Sequence, residues 1–138
     1  MGNTSWWRTE FSSGEADSAF QAISDGRLSQ GPIVTKFEKW LTEYLGVRNF
    51  VAAIGGSDAL LLSLLAAGVR SNDEVLIPNR TCVATAHAAM TIGANPVFVE
   101  SEVVSPIISS QDLKRKITSN TKVVIPVHLN GRDAHFEF

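Results

Sequence analysis

Apolar positions along the chain follow two patterns, and the change between them comes near residue 49. Before it they recur at helical spacing. Phe37, Trp40, Leu41, Tyr44 and Leu45 sit at the i, i+3, i+4, i+7, i+8 positions of an amphipathic helix, which Gly31-Pro32-Ile33-Val34 leads into and Gly46 stops. Upstream, the pattern S-G-E-A-D-S-A-F-Q-A-I-S-D-G predicts a first helix. Ser13 would be its N-cap, Glu15 and Asp17 would lie in the first turn, and Ala19, Phe20 and Ile23 would form its apolar face. Gly26 would end it. The segment before it, with adjacent Trp6 and Trp7, has no period and reads as an arm covered by the chain's own core or by a second subunit.

After residue 49 the apolar positions come in short unbroken runs. Residues 50–54, 74–77, 96–99 and 122–127 have strand length. Between them lie helical stretches. One is opened by Ser57-Asp58 and is rich in Leu and Ala, an Ala-rich one covers 82–91 and is ended by Gly93, and one covers 110–117. The rhythm from Phe50 onward is β-α-β-α-β-α-β. Strands that are apolar on both faces and alternate with helices predict an α/β fold, with a parallel sheet covered on both sides and right-handed crossovers.

One junction in this series carries candidate chemistry. The run 50–54 breaks at Gly55-Gly56, and a helix opens at Ser57-Asp58. The first turn of a helix offers unpaired N–H groups and the positive end of the macrodipole, and glycines let an anion approach the backbone. The G-x-G-x-x-G spacing of dinucleotide sites is absent, and no lysine completes a nucleoside-triphosphate loop. A plain tight turn capped by Ser57 or Asp58 fits the same residues. In an open parallel sheet, ligands gather at the carboxyl ends of strands, which here places loops 55–57, 79–85 and 128–132 together.

Composition narrows the partners. At 138 residues the chain is one domain by size, and 44% hydrophobic content supports a small core of ordinary globular kind. A net charge of −2, with no lysine or arginine cluster, gives no electrostatic footprint for nucleic acid and no attraction to an anionic membrane. No apolar stretch is long enough to span a bilayer, and the N-terminus lacks the design of a signal peptide. A lone Cys82 excludes a disulfide framework and fits a reducing cytoplasm. His87, His128 and His135 have no metal-ligand spacing with it.

Six ordered motifs together resemble one known family. They are Gly31-Pro32 through Phe37-Glu38 with Tyr44-Leu45-Gly46; Gly55-Gly56-Ser57-Asp58-Ala59-Leu60; Asp73-Glu74-Val75-Leu76-Ile77-Pro78; Val83-Ala84-Thr85-Ala86; Gly93-Ala94-Asn95-Pro96-Val97-Phe98-Val99; and Val127-His128-Leu129-Asn130-Gly131. In this order they resemble the N-terminal part of the DegT/DnrJ/EryC1/StrS aminotransferases, pyridoxal-phosphate enzymes of amino-sugar biosynthesis with the type I aminotransferase fold. The resemblance runs from about residue 11 to residue 131. It implies that residues 1–48 are an N-terminal arm with two helices and that 49–138 are a partial α/β cofactor-binding domain. It also implies that Gly56, Ser57 and Asp58 hold the phosphate of pyridoxal 5'-phosphate, with Cys82 against the ring.

The chain departs from the family at Cys82, where an aromatic residue usually stacks on the pyridine ring; a thiol offers no π face. The bottom-up expectation there is a buried, inert thiol, since no His or Asp at motif spacing would make it a nucleophile. His128 is expected to be structural, and Glu38 to sit on a solvated face. The family's Schiff-base lysine and its pyridine-binding carboxylate are expected beyond the V-H-L-x-G motif. Lys36, Lys39, Lys114, Lys116 and Lys122 match neither and read as surface charges. The expectation is therefore a cytoplasmic sugar-aminotransferase-like chain, not competent alone, whose parent takes nucleotide-sugar and amino-donor substrates and forms a homodimer or another self-association. The alternative is a non-catalytic phosphate-binding or self-associating α/β module derived from the family.

Overall fold

The computed structural model describes residues 9–134. The chain divides between Ala52 and Ala53 into two compact units. Trp6, Trp7 and His135 lie outside the described residues.

The first unit contains α1 (Ser13–Ser24) and α2 (Pro32–Leu45). Ser12, not Ser13, caps α1. A capping box needs a Glu three residues into the helix, and only Ser12 places Glu15 there. The Ser12 N–H donates to the Glu15 carboxylate at 2.8 Å, and the Gly14 N–H donates to Ser12 Oγ at 3.3 Å. The Ser12 hydroxyl, followed by backbone donors, holds Glu15 below the ordinary carboxylate pKa. Pro32 opens α2 at a position where its missing N–H costs nothing, and Gly46 ends it at φ 65°. The expected stripe forms as a ladder of rings. Phe37 stacks on Trp40 with centroids 6.5 Å apart, and Trp40 on Tyr44 at 5.3 Å. Phe50 meets Phe37 edge-on. No residue of either helix is buried. Glu38 is not simply solvated as expected: it is half-buried and accepts the Ala52 N–H at 2.9 Å.

The second unit contains α3 (Gly56–Ala66), β1 (Glu74–Pro78), α4 (Val83–Ile92), β2 (Asn95–Val99), α5 (Ser110–Lys116) and β3 (Thr121–Val124), followed by a 3-10 turn at Leu129–Gly131. The strands form a parallel sheet in the order β2-β1-β3. The rhythm is thus one strand shorter than the sequence predicts. Residues 50–54 do not form a strand. A strand is held by a neighbouring ladder, and no described strand pairs with this run. Val51 and Ile54 are accordingly 73% and 98% exposed.

Side chains along β1 alternate between two covered faces. Val75 and Ile77 pack with Leu64 of α3 and Ala86, Ala88 and Ala89 of α4. Leu76 points the other way, into Val99, Ile108 and Leu113 of α5. Three consecutive residues, Val75, Leu76 and Ile77, are fully buried, which is the double coverage expected of a parallel strand. Each contributes about 1.5–3 kcal/mol of burial.

The two outer strands end the sheet differently. On β2, the Asn95 N–H donates to Asp73 and the Val99 carbonyl accepts from Asn79, so Asn95, Val97 and Val99 face β1. Pro96 and Phe98 therefore face outward. Pro96 has no N–H to offer there, and Lys116 Nζ donates to the Phe98 carbonyl at 2.6 Å. Asp112, almost fully buried, anchors this arrangement. Its carboxylate accepts the Glu100 N–H at 2.8 Å and pairs with Lys116 at 3.0 Å and Arg115 at 2.9 Å. On β3, the Ile125 N–H donates to the Leu76 carbonyl, so Val124 faces outward. Beside it lies an apolar groove of about 210 Å³, walled by Leu60 and Leu64 of α3 and by Val123, Ile125 and Pro126.

Candidate functional site

The strand order reverses between β1 and β3, since β2 lies on one side of β1 and β3 on the other. Ligands of open α/β sheets bind outside the carboxyl ends of strands at such a point. The segments leaving it are residues 79–82 after β1 and 125–128 after β3.

The start of α3 is built as the glycine pair suggests. Gly55 is the N-cap, extended at φ −170°, and has no side chain to satisfy the first turn. The first intrahelical bond runs from the Ala59 N–H to the Gly55 carbonyl at 3.0 Å. The amides of Gly56, Ser57 and Asp58 precede it and meet no protein acceptor among the described residues. A Cβ placed on Gly56 would meet nothing within 4 Å, so the approach to these amides is open. Asp58, in the first turn, is the acidic residue that complements the dipole. It leans back toward Gly55, where a Cβ would lie 3.5 Å from its Oδ2.

Ser57 and Asp58 also line a groove of about 340 Å³ between α3 and α4. Leu61 of α3 and Val83, His87 and Thr91 of α4 complete its walls. Gly56 and Cys82 do not line it. His87, which had no partner visible in the sequence, is thus brought beside two of the predicted site residues. The signal for it was the 84, 87, 88, 91 stripe of α4, legible only once α3 is known to pack there.

Cys82 is exposed, not buried as expected. Helical spacing would carry the buried stripe Thr85, Ala86 and Ala89 back to 82, but Cys82 is the N-cap, with ψ 141°. That extended backbone takes its side chain off the stripe. The buried polar residue is Thr85 instead, whose hydroxyl meets that of Thr81 at 2.9 Å.

None of the five lysines lines the α3–α4 groove. Lys36 and Lys39 lie on α2, Lys114 and Lys116 on α5, and Lys122 on β3. Lys116 departs from the surface-charge expectation, being engaged by Asp112 and Phe98. His128 holds backbone: its Nδ1 accepts the Ala134 N–H at 3.0 Å. Among the described residues no cluster of His, Cys, Asp and Glu is arranged to hold a metal, and no helix is long and apolar enough to cross a membrane.

Comparison with known proteins places this geometry in a family. A UDP-2-acetamido-2-deoxy-3-oxo-D-glucuronate aminotransferase of Pseudomonas aeruginosa is 36% identical over 117 residues, covering 85% of this chain and 33% of that protein. The structure of S. venezuelae DesV in complex with a ketimine intermediate matches with a TM-score of 0.80 at 34% identity, over 88% of this chain and 33% of its own. NtdA from Bacillus subtilis, solved with bound cofactor PMP, matches with a TM-score of 0.77 at 32% identity, over 83% and 26%. The chain spans a third or less of the length of the curated relatives it matches first. With residues 11–137 matching the profile of the DegT/DnrJ/EryC1/StrS aminotransferase family, the chain belongs to that family.

Proposed function

We propose that this chain carries the phosphate-holding part of a pyridoxal-phosphate-dependent sugar aminotransferase. The observation that carries this reading is the set of three amides, at Gly56, Ser57 and Asp58, open at the start of an eleven-residue helix. A phosphate dianion suits that end through converging N–H donors and the helix dipole together. Ser57 adds a hydroxyl to the same turn. Asp58 takes part through its amide, since its carboxylate would repel the guest.

Pyridoxal phosphate, when bound, supplies an electron sink for chemistry at the amino-bearing carbon. The residues present fit its phosphate and not its reactive end. No lysine lines the groove, and Cys82 presents a small exposed thiol where a stacking ring would serve. The role of this chain is therefore to bind and orient. Proton transfer would fall to residues outside residues 1–138, as would most contacts to a nucleotide sugar and an amino donor. In this reading residues 1–48 are an N-terminal arm with two helices and residues 49–138 the partial cofactor-binding domain, in a cytoplasmic, homodimeric parent enzyme. The small exposed thiol of Cys82 at the ring position favours a second reading, a non-catalytic module that holds phosphorylated metabolites by the same amides.

Gly56→Pro tests the cradle. Gly55 is already extended, as a residue before proline must be, and the first helical position tolerates proline. The variant should keep α3 and lose one donor. Titration calorimetry with inorganic phosphate and with pyridoxal phosphate should show affinity falling about tenfold, the value of one hydrogen bond to a charged group. Unchanged affinity would remove the cradle. Phosphate binding without a visible absorbance change on adding pyridoxal phosphate and glutamate would select the non-catalytic module.

A further inference from the structure

One nitrogen in the second unit has two neighbours that it cannot serve at once. His128 Nδ1 accepts the Ala134 N–H at 3.0 Å. The same nitrogen lies 3.2 Å from Asp133 Oδ1. Accepting requires a lone pair on Nδ1, hence a neutral ring with its proton on Nε2. Pairing with Asp133 requires a proton on Nδ1. A lone pair facing a carboxylate is repulsive, whereas an N–H facing it is a charge-assisted hydrogen bond.

The backbone holds both partners in place. Asn130 and Gly131 adopt left-handed conformations, at φ 56° and 73°, and fold residues 128–134 back on themselves. The Arg132 N–H closes the turn on the Leu129 carbonyl at 3.2 Å. Ala134 is buried, while the His128 and Asp133 side chains are solvent-exposed, so the proton can come and go as the Ala134 side chain stays packed. Among the described residues Asp133 is the charged group in contact with this imidazole, and Arg132 beside it makes no ion pair.

We propose that His128, Asp133 and Ala134 form a proton-operated latch at the carboxyl end of β3. With the ring neutral, Ala134 is tied to Nδ1 and the turn is closed. With the ring protonated, Nδ1–H turns to Asp133, the Ala134 N–H is released, and the rim of the strand-reversal point loosens. This rests on the turn's geometry and stands whether or not the phosphate cradle is occupied.

The test is an NMR titration of the chain from about pH 8 to about pH 5, the range over which imidazoles take up a proton. The His128 ring nitrogens should report an Nε2–H tautomer at the upper end. The Ala134 amide resonance should move with the same midpoint as the ring, and its exchange protection should fall about tenfold. In His128→Asn, whose side-chain oxygen can accept but does not titrate, the Ala134 resonance should stay fixed. The Asp133 side-chain carboxyl resonance should move together with the ring, because Nδ1–H then faces it. An Ala134 resonance indifferent to the protonation of the His128 ring would overturn the latch, and so would an Asp133 carboxyl resonance that ignores it.

Discussion

The two outer strands of the sheet face the same solvent with opposite chemistry. The outward positions of β2 are a proline without a donor and a carbonyl already taken by a lysine. The outward position of β3 is Val124, with an apolar groove beside it under α3. Native sheets blunt exposed edges with proline, charge and cover, because an unpaired ladder is a template for another strand. Among the described residues the β2 side is finished in this way along its length, whereas on β3 only Lys122 and the register shift beside it serve that end and Val124 is left open. A strand at the rim of a sheet is therefore not a uniform class; its outward residues have to be worked out one by one from the ladder's parity.

That parity can be tested most strongly on β3 itself. Val123 faces β1 and Val124 faces away, so proline at the two positions should have unequal effects. Val123→Pro removes a donor from the ladder and should destabilise the second unit by about 3 kcal/mol, whereas Val124→Pro should lose only packing, about 1 kcal/mol. Urea unfolding of the two variants checks the difference, and equal losses would mean that the outward assignment is wrong.

The next effect concerns the anchor of the β2 side. Asp112→Ala removes the acceptor for the Glu100 N–H and for two cationic side chains and should cost about 2 kcal/mol. The Glu100 N–H first, then Lys116, lower the Asp112 pKa from 3.8 to about 2, against the opposing effect of burial. A carboxylate with a lowered folded-state pKa gives stability that is fully present above its unfolded value and is lost as pH falls through the folded one. Wild-type stability should thus drop between about pH 4 and about pH 2 by more than that of Asp112→Asn. Parallel pH profiles for the two proteins would contradict the anchoring role.

Lys116→Met should show the smallest change. It uncovers the Phe98 carbonyl and should cost about 1 kcal/mol or less, because the lysine is partly solvated. Its more telling signature is association: light scattering against concentration should rise for this variant relative to the parent, since both sides of the sheet then offer free groups.

Much of this architecture could be read in advance where the signal is local. Gly26, Gly46 and Gly93 mark helix ends because each sits at a positive φ that other residues avoid. The alternation of apolar runs with helices foretold the parallel sheet. The readings that failed all needed a distant partner or a backbone angle. Residues 50–54 have the composition of a strand but no ladder beside them. Cys82 lies at a buried spacing but on non-helical backbone. Glu38 and Lys116 look like surface charges until the Ala52 amide and the Phe98 carbonyl are known to lie near them. For the site, the glycine turn announced Ser57 and Asp58, whereas His87 joins them only through the packing of α3 on α4, which no single-element pattern encodes.

Pro96 has a final consequence for stoichiometry. Filaments built by strand addition need every copy to be sticky at both ends. A copy of this chain that has spent its β3 side on a neighbour has only the proline-bearing side left to present. Edge-to-edge growth should then terminate at pairs, and one imino acid together with the lysine on the next outward carbonyl sets that ceiling.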